Sequence, residues 1–136
     1  MTPIDHSIIL VVEDNQVNQL VAYRTLEKLG YMADIACDGK EAVSKSMENQ
    51  YALIFMDCQM PGMDGYEATR WIREKENVTG KRTPIIALTA NATSNDREKC
   101  MACGMDDFIS KPFKRSDLTE IIKKWMPRDS IRAICK

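Results

Sequence analysis

Four places in the sequence set a chemically capable group at the end of an apolar run. Glu13 and Asp14 follow Ile8–Val12, Asp57 closes Ala52–Asp57, Thr89 closes Pro84–Thr89, and Lys111 directly follows Asp107–Ser110. Charged residues in such places are often only exposed loop positions, but these types complement one another. Three carboxylates brought close together raise one another's pKa unless a cation neutralises them. An all-oxygen set of a few carboxylates suits a hard divalent ion, Mg²⁺ in particular, which keeps positions open for phosphate oxygens. Lys111 would supply a point charge to a phosphoryl oxygen, and Thr89 a hydroxyl donor. Asp57 would then be the nucleophile, forming an acyl phosphate. The pattern predicts phosphoryl transfer to an aspartate.

Five strands must bring these groups together. The runs Ser7–Val12, Met32–Ala36, Ala52–Asp57, Pro84–Thr89 and Asp107–Ser110 all have strand length. The first, third and fourth are apolar, as strands buried on both faces are. Helical patterns lie between them. Val17–Leu29 presents Leu20, Val21, Leu26 and Leu29 and stops at Gly30, Lys40–Glu48 is short, and Tyr66–Glu76 would pack Trp71 and Ile72. Asn95–Cys103 is polar and ends at Gly104. The final helix sets Leu118, Ile121, Ile122 and Trp125 on one face, with Ser116 as its cap and Pro127 as its stop. Five successive βα units predict an α/β fold with a doubly wound parallel sheet. Active groups in such sheets gather at the carboxyl ends of the strands, near the point where strand order reverses.

Composition narrows the function classes. The chain has 136 residues, one domain's worth, with 19 Lys and Arg against 20 Asp and Glu. That balance argues against a nucleic-acid binder, which relies on cationic excess. Residues 1–64 hold ten acids and four bases, whereas residues 111–136 hold three acids and eight bases. The basic end reads as a solvated helix and tail. No apolar run approaches the ~20 residues of a membrane span. The N-terminus lacks the cationic start of a secretory signal. The expectation is a cytoplasmic domain that makes no membrane contact of its own. Five cysteines do not form a disulfide framework. Cys100 and Cys103 form a C-x-x-C pair, but the lone His6 is distant and no second close Cys pair exists, so these thiols read as buried or idle rather than zinc-binding.

Together the segments ILVVEDNQVNQ (9–19), MDCQMPGMDGYEATR (56–70), IIALTANA (85–92) and GMDDFISKPF (104–113) resemble the receiver domain of two-component response regulators. The match covers about residues 6–126 and leaves 127–136 as a tail. The resemblance implies a flavodoxin-like (βα)5 fold with strand order 2-1-3-4-5. It implies Asp57 as the phosphoacceptor, assisted by Lys111 and Thr89. The Mg²⁺ site would comprise Asp14 directly, Glu13 through water, Asp57, and the backbone carbonyl of Gln59. The Lys111-Pro112 bond would be cis. Thr89 and Phe108 would form the switch that reshapes the face of helix 4, strand 5 and helix 5, although Phe108 stands where many relatives carry Tyr. Gln59 and Asn91 occupy positions that tune hydrolysis of the acyl phosphate in this family. Cys58 should point to the opposite face from Asp57 and pack inertly.

The wording of these segments most resembles receivers fused to hybrid sensor histidine kinases, often at the C-terminal end. A histidine phosphotransfer protein or a histidine kinase domain is therefore the expected partner, and the domain itself a monomer or weak dimer. It would promote only its own phosphorylation and dephosphorylation, with no enzymatic role beyond that. A stand-alone response regulator is the alternative, since eleven residues after Trp125 are too few for an output domain. An aspartate-nucleophile phosphatase of the haloacid dehalogenase type would want a second Asp where Gln59 stands. A flavodoxin-like cofactor carrier fails because Glu13 and Asp14 would repel the phosphate it must cradle. A silent interaction module would lack a key residue, and here Asp14, Asp57, Thr89 and Lys111 are all present.

Overall fold

Short, fully apolar strands cannot tolerate an exposed face, and the structure covers both. A computed structural model of the chain describes residues 8–60, 62–80, 82–90 and 94–126. Five strands, β1 (Ile8–Val12), β2 (Met32–Ala36), β3 (Leu53–Asp57), β4 (Ile85–Thr89) and β5 (Asp107–Ser110), alternate with five helices. These are α1 (Gln16–Lys28), α2 (Gly39–Glu48), α3 (Gly65–Thr79), α4 (Ser94–Cys103) and α5 (Arg115–Trp125). All neighbouring strands are parallel, in the order β2-β1-β3-β4-β5.

Alternate side chains feed two core layers. Leu10, Val12, Ile54, Met56, Ile85 and Ala87 pack with Ala42 of α2, Ala68 and Ile72 of α3, and Cys100 and Cys103 of α4. Ile9, Val11, Leu53, Phe55, Ile86, Leu88 and Ile109 pack with Ala22 and Leu26 of α1 and Leu118 and Ile122 of α5. Strand order reverses beside β1, between β2 and β3, and the carboxyl ends of β1 and β3 carry Glu13 and Asp57 there.

Three sequence expectations are corrected. The buried side of α1 is Ala22 and Leu26, with Leu29 half-buried, whereas Leu20 and Val21 face solvent beside Val17. Two apolar stripes run along this helix, and the one nearer the sheet is the one with the small Ala22. Ile72 of α3 is buried as expected, but Trp71 is about half exposed, and the helix buries Ala68 and Thr69 beside Ile72. Ser116 does not cap α5. The helix starts two residues earlier, with Lys114 in the cap position, and Asp117 accepts a hydrogen bond from the Lys114 backbone N–H at 3.0 Å. A carboxylate in the first turn also suits the positive end of the helix dipole.

Other helix ends follow ordinary capping chemistry. Asn15, Asp38 and Asp64 each accept from the backbone N–H three residues on, at 3.0, 2.8 and 2.9 Å. Gly80 closes α3 with φ of 80°, a left-handed value that costs glycine little. His6, Ser7, Pro127 and the rest of the tail, including Cys135, lie outside the described residues. No described helix is long and apolar enough to cross a membrane.

Candidate functional site

Parallel pairing in register aligns the strand ends, so residues just past each strand share one edge. The Glu13 N–H donates to the Ala36 carbonyl, Cys58 N–H to Leu88, and Lys111 N–H to Thr89, at 3.0, 3.0 and 2.8 Å. These bonds carry the ladder past the strand ends and fix the backbone at Glu13, Asp57, Thr89 and Lys111. Close packing supports it from α3: a Cβ at Gly65 would collide with the carbonyl oxygen of Asp57, so only glycine lets that helix begin there.

Three carboxylates meet at this edge. Ligand oxygens of Glu13, Asp14 and Asp57 all lie within 4.8 Å of one another, the only such group of three or more acidic, His or Cys side chains among the described residues. Glu13 and Asp57 are 1% and 2% exposed, while Asp14 faces solvent. Lys111 answers the two buried charges, with Nζ 3.0 Å from Glu13 Oε1 and 3.0 Å from Asp57 Oδ2. The other oxygen of Asp57, Oδ1, accepts from the Gln59 N–H at 3.1 Å. The Lys111-Pro112 peptide bond is cis.

Electrostatics oppose one another here. Burial pushes the Asp57 carboxyl up to about 6, and the Glu13 charge adds to this, against the pull of Lys111 and of the Gln59 N–H. Burial also works against the Lys111 ammonium, but hydrogen bonds to Asp57 and Glu13 outweigh it and raise the lysine pKa. Glu13 Oε1 is buried and, despite its nearby ammonium, accepts no hydrogen bond of good geometry among the described residues. One lysine thus does not fully satisfy the acids. An oxygen-only set with an under-satisfied buried oxygen fits a small hard cation such as Mg²⁺.

The remaining sequence candidates fall around this centre. Thr89 is 6% exposed at the end of β4, next to the Lys111 backbone through the bond given above. Phe108 is half-buried on β5 opposite Ala87, and the Arg97 guanidinium lies over its ring at 4.6 Å. Gln59 is exposed, and Asn91 lies outside the described residues. Cys58 packs in the layer beneath α3 and α4 with Cys100, and burial holds its thiol well above the usual range. A reactive cysteine needs a thiol acidified toward its thiolate, and burial here works the other way.

Sequence reasoning missed two supports. Gln19 Nε2 donates to the Glu13 carbonyl at 2.6 Å, tying the acidic loop to α1. Its six-residue separation matches no local motif. Asn15, whose N–H donates to Glu13 Oε2 at 3.2 Å while its side chain caps α1, carries a cap signature that could have been read.

Comparisons with known proteins bear on this geometry. A family model described as the response regulator receiver domain matches residues 9–123. Hybrid signal transduction histidine kinase B of Dictyostelium discoideum is 47% identical over 126 residues, 85% of this chain but 6% of that protein. The chain therefore spans a small part of the curated histidine kinases that it matches. Among solved structures, the receiver domain of a Pseudomonas aeruginosa sensor histidine kinase, with a magnesium ion coordinated in its active-site cleft, is 49% identical with a TM-score of 0.81, covering 90% of this chain and 98% of that one. The receiver domain of a Saccharomyces cerevisiae response regulator, crystallised with a histidine phosphotransfer protein, is 34% identical with a TM-score of 0.85 and 92% of each chain covered.

Proposed function

The chain belongs to the response regulator receiver family, and we propose that it is the phosphoacceptor domain of a phosphorelay, with Asp57 taking a phosphoryl group from a phosphohistidine. The observation that carries this reading is the buried Asp57 carboxylate at the carboxyl end of β3, its Oδ2 held 3.0 Å from the Lys111 ammonium. The group it would take comes from a histidine phosphotransfer protein or a histidine kinase domain. The likeness to hybrid histidine kinases supports a place within such a kinase, working at the cytoplasmic side.

In this reading a carboxylate oxygen of Asp57 attacks phosphorus in line with the leaving imidazole. The new O–P bond forms as the N–P bond breaks, and the released imidazole nitrogen takes a proton. Lys111 turns from the carboxylate to a phosphoryl oxygen and balances its charge. The Thr89 hydroxyl donates to another phosphoryl oxygen. Glu13, Asp14, Asp57 and the Gln59 carbonyl would hold Mg²⁺, which when bound supplies positive charge to the phosphoryl oxygens. The exposed Gln59 amide stands where it can orient the water that later hydrolyses the acyl phosphate. Movement of Thr89 toward the phosphoryl group, with Phe108 following, would change the α4–β5–α5 face. The domain thus promotes its own phosphorylation and acts on no separate substrate.

A phosphotransfer experiment tests this. A histidine phosphotransfer protein carrying ³²P-labelled phosphohistidine is mixed with the chain or with Asp57→Asn. Label should move to the wild type alone. Equal transfer to the Asn variant would overturn the assignment.

A further inference from the structure

Phe108 is fixed on both sides along its strand, and its half-buried ring packs at the edge of the core layer. Asp107 before it accepts from Lys124 Nζ and Trp125 Nε1 of α5, both at 3.0 Å, and Ile109 after it is buried in the opposite layer. Across the ladder Phe108 pairs with Ala87, whose side chain is a single methyl. Thr89 lies two residues further along β4, on the same face as Ala87. A turn of the ring about its side-chain bonds would therefore carry it along the face that Thr89 occupies. Having no hydroxyl, Phe108 has no side-chain hydrogen bond to hold it in either position.

What holds it comes from α4. The Arg97 guanidinium sits 4.6 Å from the ring centroid, and Arg97 makes no ion pair with any described residue. Helix α4 has little else to dock it. It buries only Cys100 and Cys103, and a second cation of the helix, Lys99, lies over Tyr66 of α3 at 5.1 Å. Arg97 thus links the least apolar helix to the one aromatic side chain beside Thr89 on β5.

We propose that Arg97 is a positioning residue of the switch: its guanidinium holds the Phe108 ring against α4 in the conformation where Lys111 pairs directly with the Asp57 carboxylate. This rests on the phosphoacceptor reading above. Phosphorylation would then have to break the Arg97–Phe108 contact before the ring turns, so the contact biases the domain toward its unmodified form. A cation over an aromatic face at a solvent-accessible site shifts such an equilibrium by about two- to five-fold.

The test is a titration with beryllofluoride, a phosphoryl mimic, in the presence of Mg²⁺. Arg97→Gln should bind it about two- to five-fold more tightly than wild type, and Arg97→Lys, which keeps a cation, should stay near wild type. In a Phe108→Leu background, Arg97→Gln should have no effect. Unchanged or weaker binding by Arg97→Gln, or the same gain without the aromatic ring, would overturn the proposal. The contact is also read independently of any mimic. Ring current should shift the Arg97 side-chain protons upfield in the NMR spectrum, and Phe108→Leu should abolish that shift. If the shift is present but wild type binds no beryllofluoride, the phosphoacceptor reading has failed and takes the switch with it. If wild type binds and the shift is absent, only the Arg97 contact is wrong.

Discussion

Lys111 Nζ reaches Asp57 Oδ2 at 3.0 Å although β4 lies between their strands. The lysine spans the end of that strand and meets both buried acids of the site, Glu13 as well as Asp57. Its ammonium is the positive charge against which the two least-exposed carboxylates among the described residues are balanced.

Replacing it should therefore destabilise the metal-free fold. Lys111→Met leaves Glu13 and Asp57 buried without their counter-charge, a loss on the order of 3 kcal/mol for a broken buried pair. Urea denaturation in EDTA at pH 7.5 should show a lower midpoint than wild type. Millimolar Mg²⁺ should restore much of the difference, because it neutralises the same oxygens. An unchanged midpoint in EDTA would mean that the lysine contributes nothing to holding the acids in place.

The raised Asp57 pKa gives a pH dependence of definite sign. The folded carboxyl titrates near 6 and an unfolded one near 3.8, so between those values the folded state binds more protons. Stability drawn from this group is then greatest at the acid end of that window and falls as pH rises through about 6. In EDTA, Asp57→Asn should lose this dependence. The stability of the variant relative to wild type should rise between pH 4 and 6.5. A difference independent of pH would contradict the shift.

How much of this was legible in the residues alone follows from which features are periodic. Strands buried on both faces print themselves as unbroken apolar runs, and a charge cannot continue such a run, so Glu13 and Asp57 mark strand ends by their own chemistry, whereas Lys111 follows the half-polar β5. Helix α1 was harder because Val17, Leu20 and Val21 are as apolar as Leu26, and nothing local says which stripe meets the sheet. Ser116 is a better capping type than Lys114, but the Asp117 side chain closes the turn from inside the helix. The Arg97–Phe108 contact joins residues with no shared motif, and only the packing of α4 on β5 reveals it.

A polar network at the opposite end of the sheet was likewise invisible in the sequence. Arg73 of α3 pairs with Glu76 at 2.6 Å and Asp106 at 2.7 Å, and also donates to the carbonyls of Thr83 and Gly104, both at 2.8 Å. Arg73→Ala leaves these partly buried acceptors short of a donor and should cost about 2–4 kcal/mol in denaturant unfolding. Because this network lies away from the carboxylates, phosphorylation of the folded variant should proceed at the wild-type rate. A large drop in rate without a loss of stability would assign Arg73 to the site instead.

In the proposed reaction Asp57 accepts a phosphoryl group with a divalent ion held by the neighbouring acids. Intact mass after incubation with acetyl phosphate measures this most directly, with Mg²⁺ and with EDTA, for wild type and Asp57→Asn. One added phosphoryl group is expected in the wild type with Mg²⁺, and none in EDTA or in the variant. An adduct that forms equally in EDTA, or persists in Asp57→Asn, would contradict it.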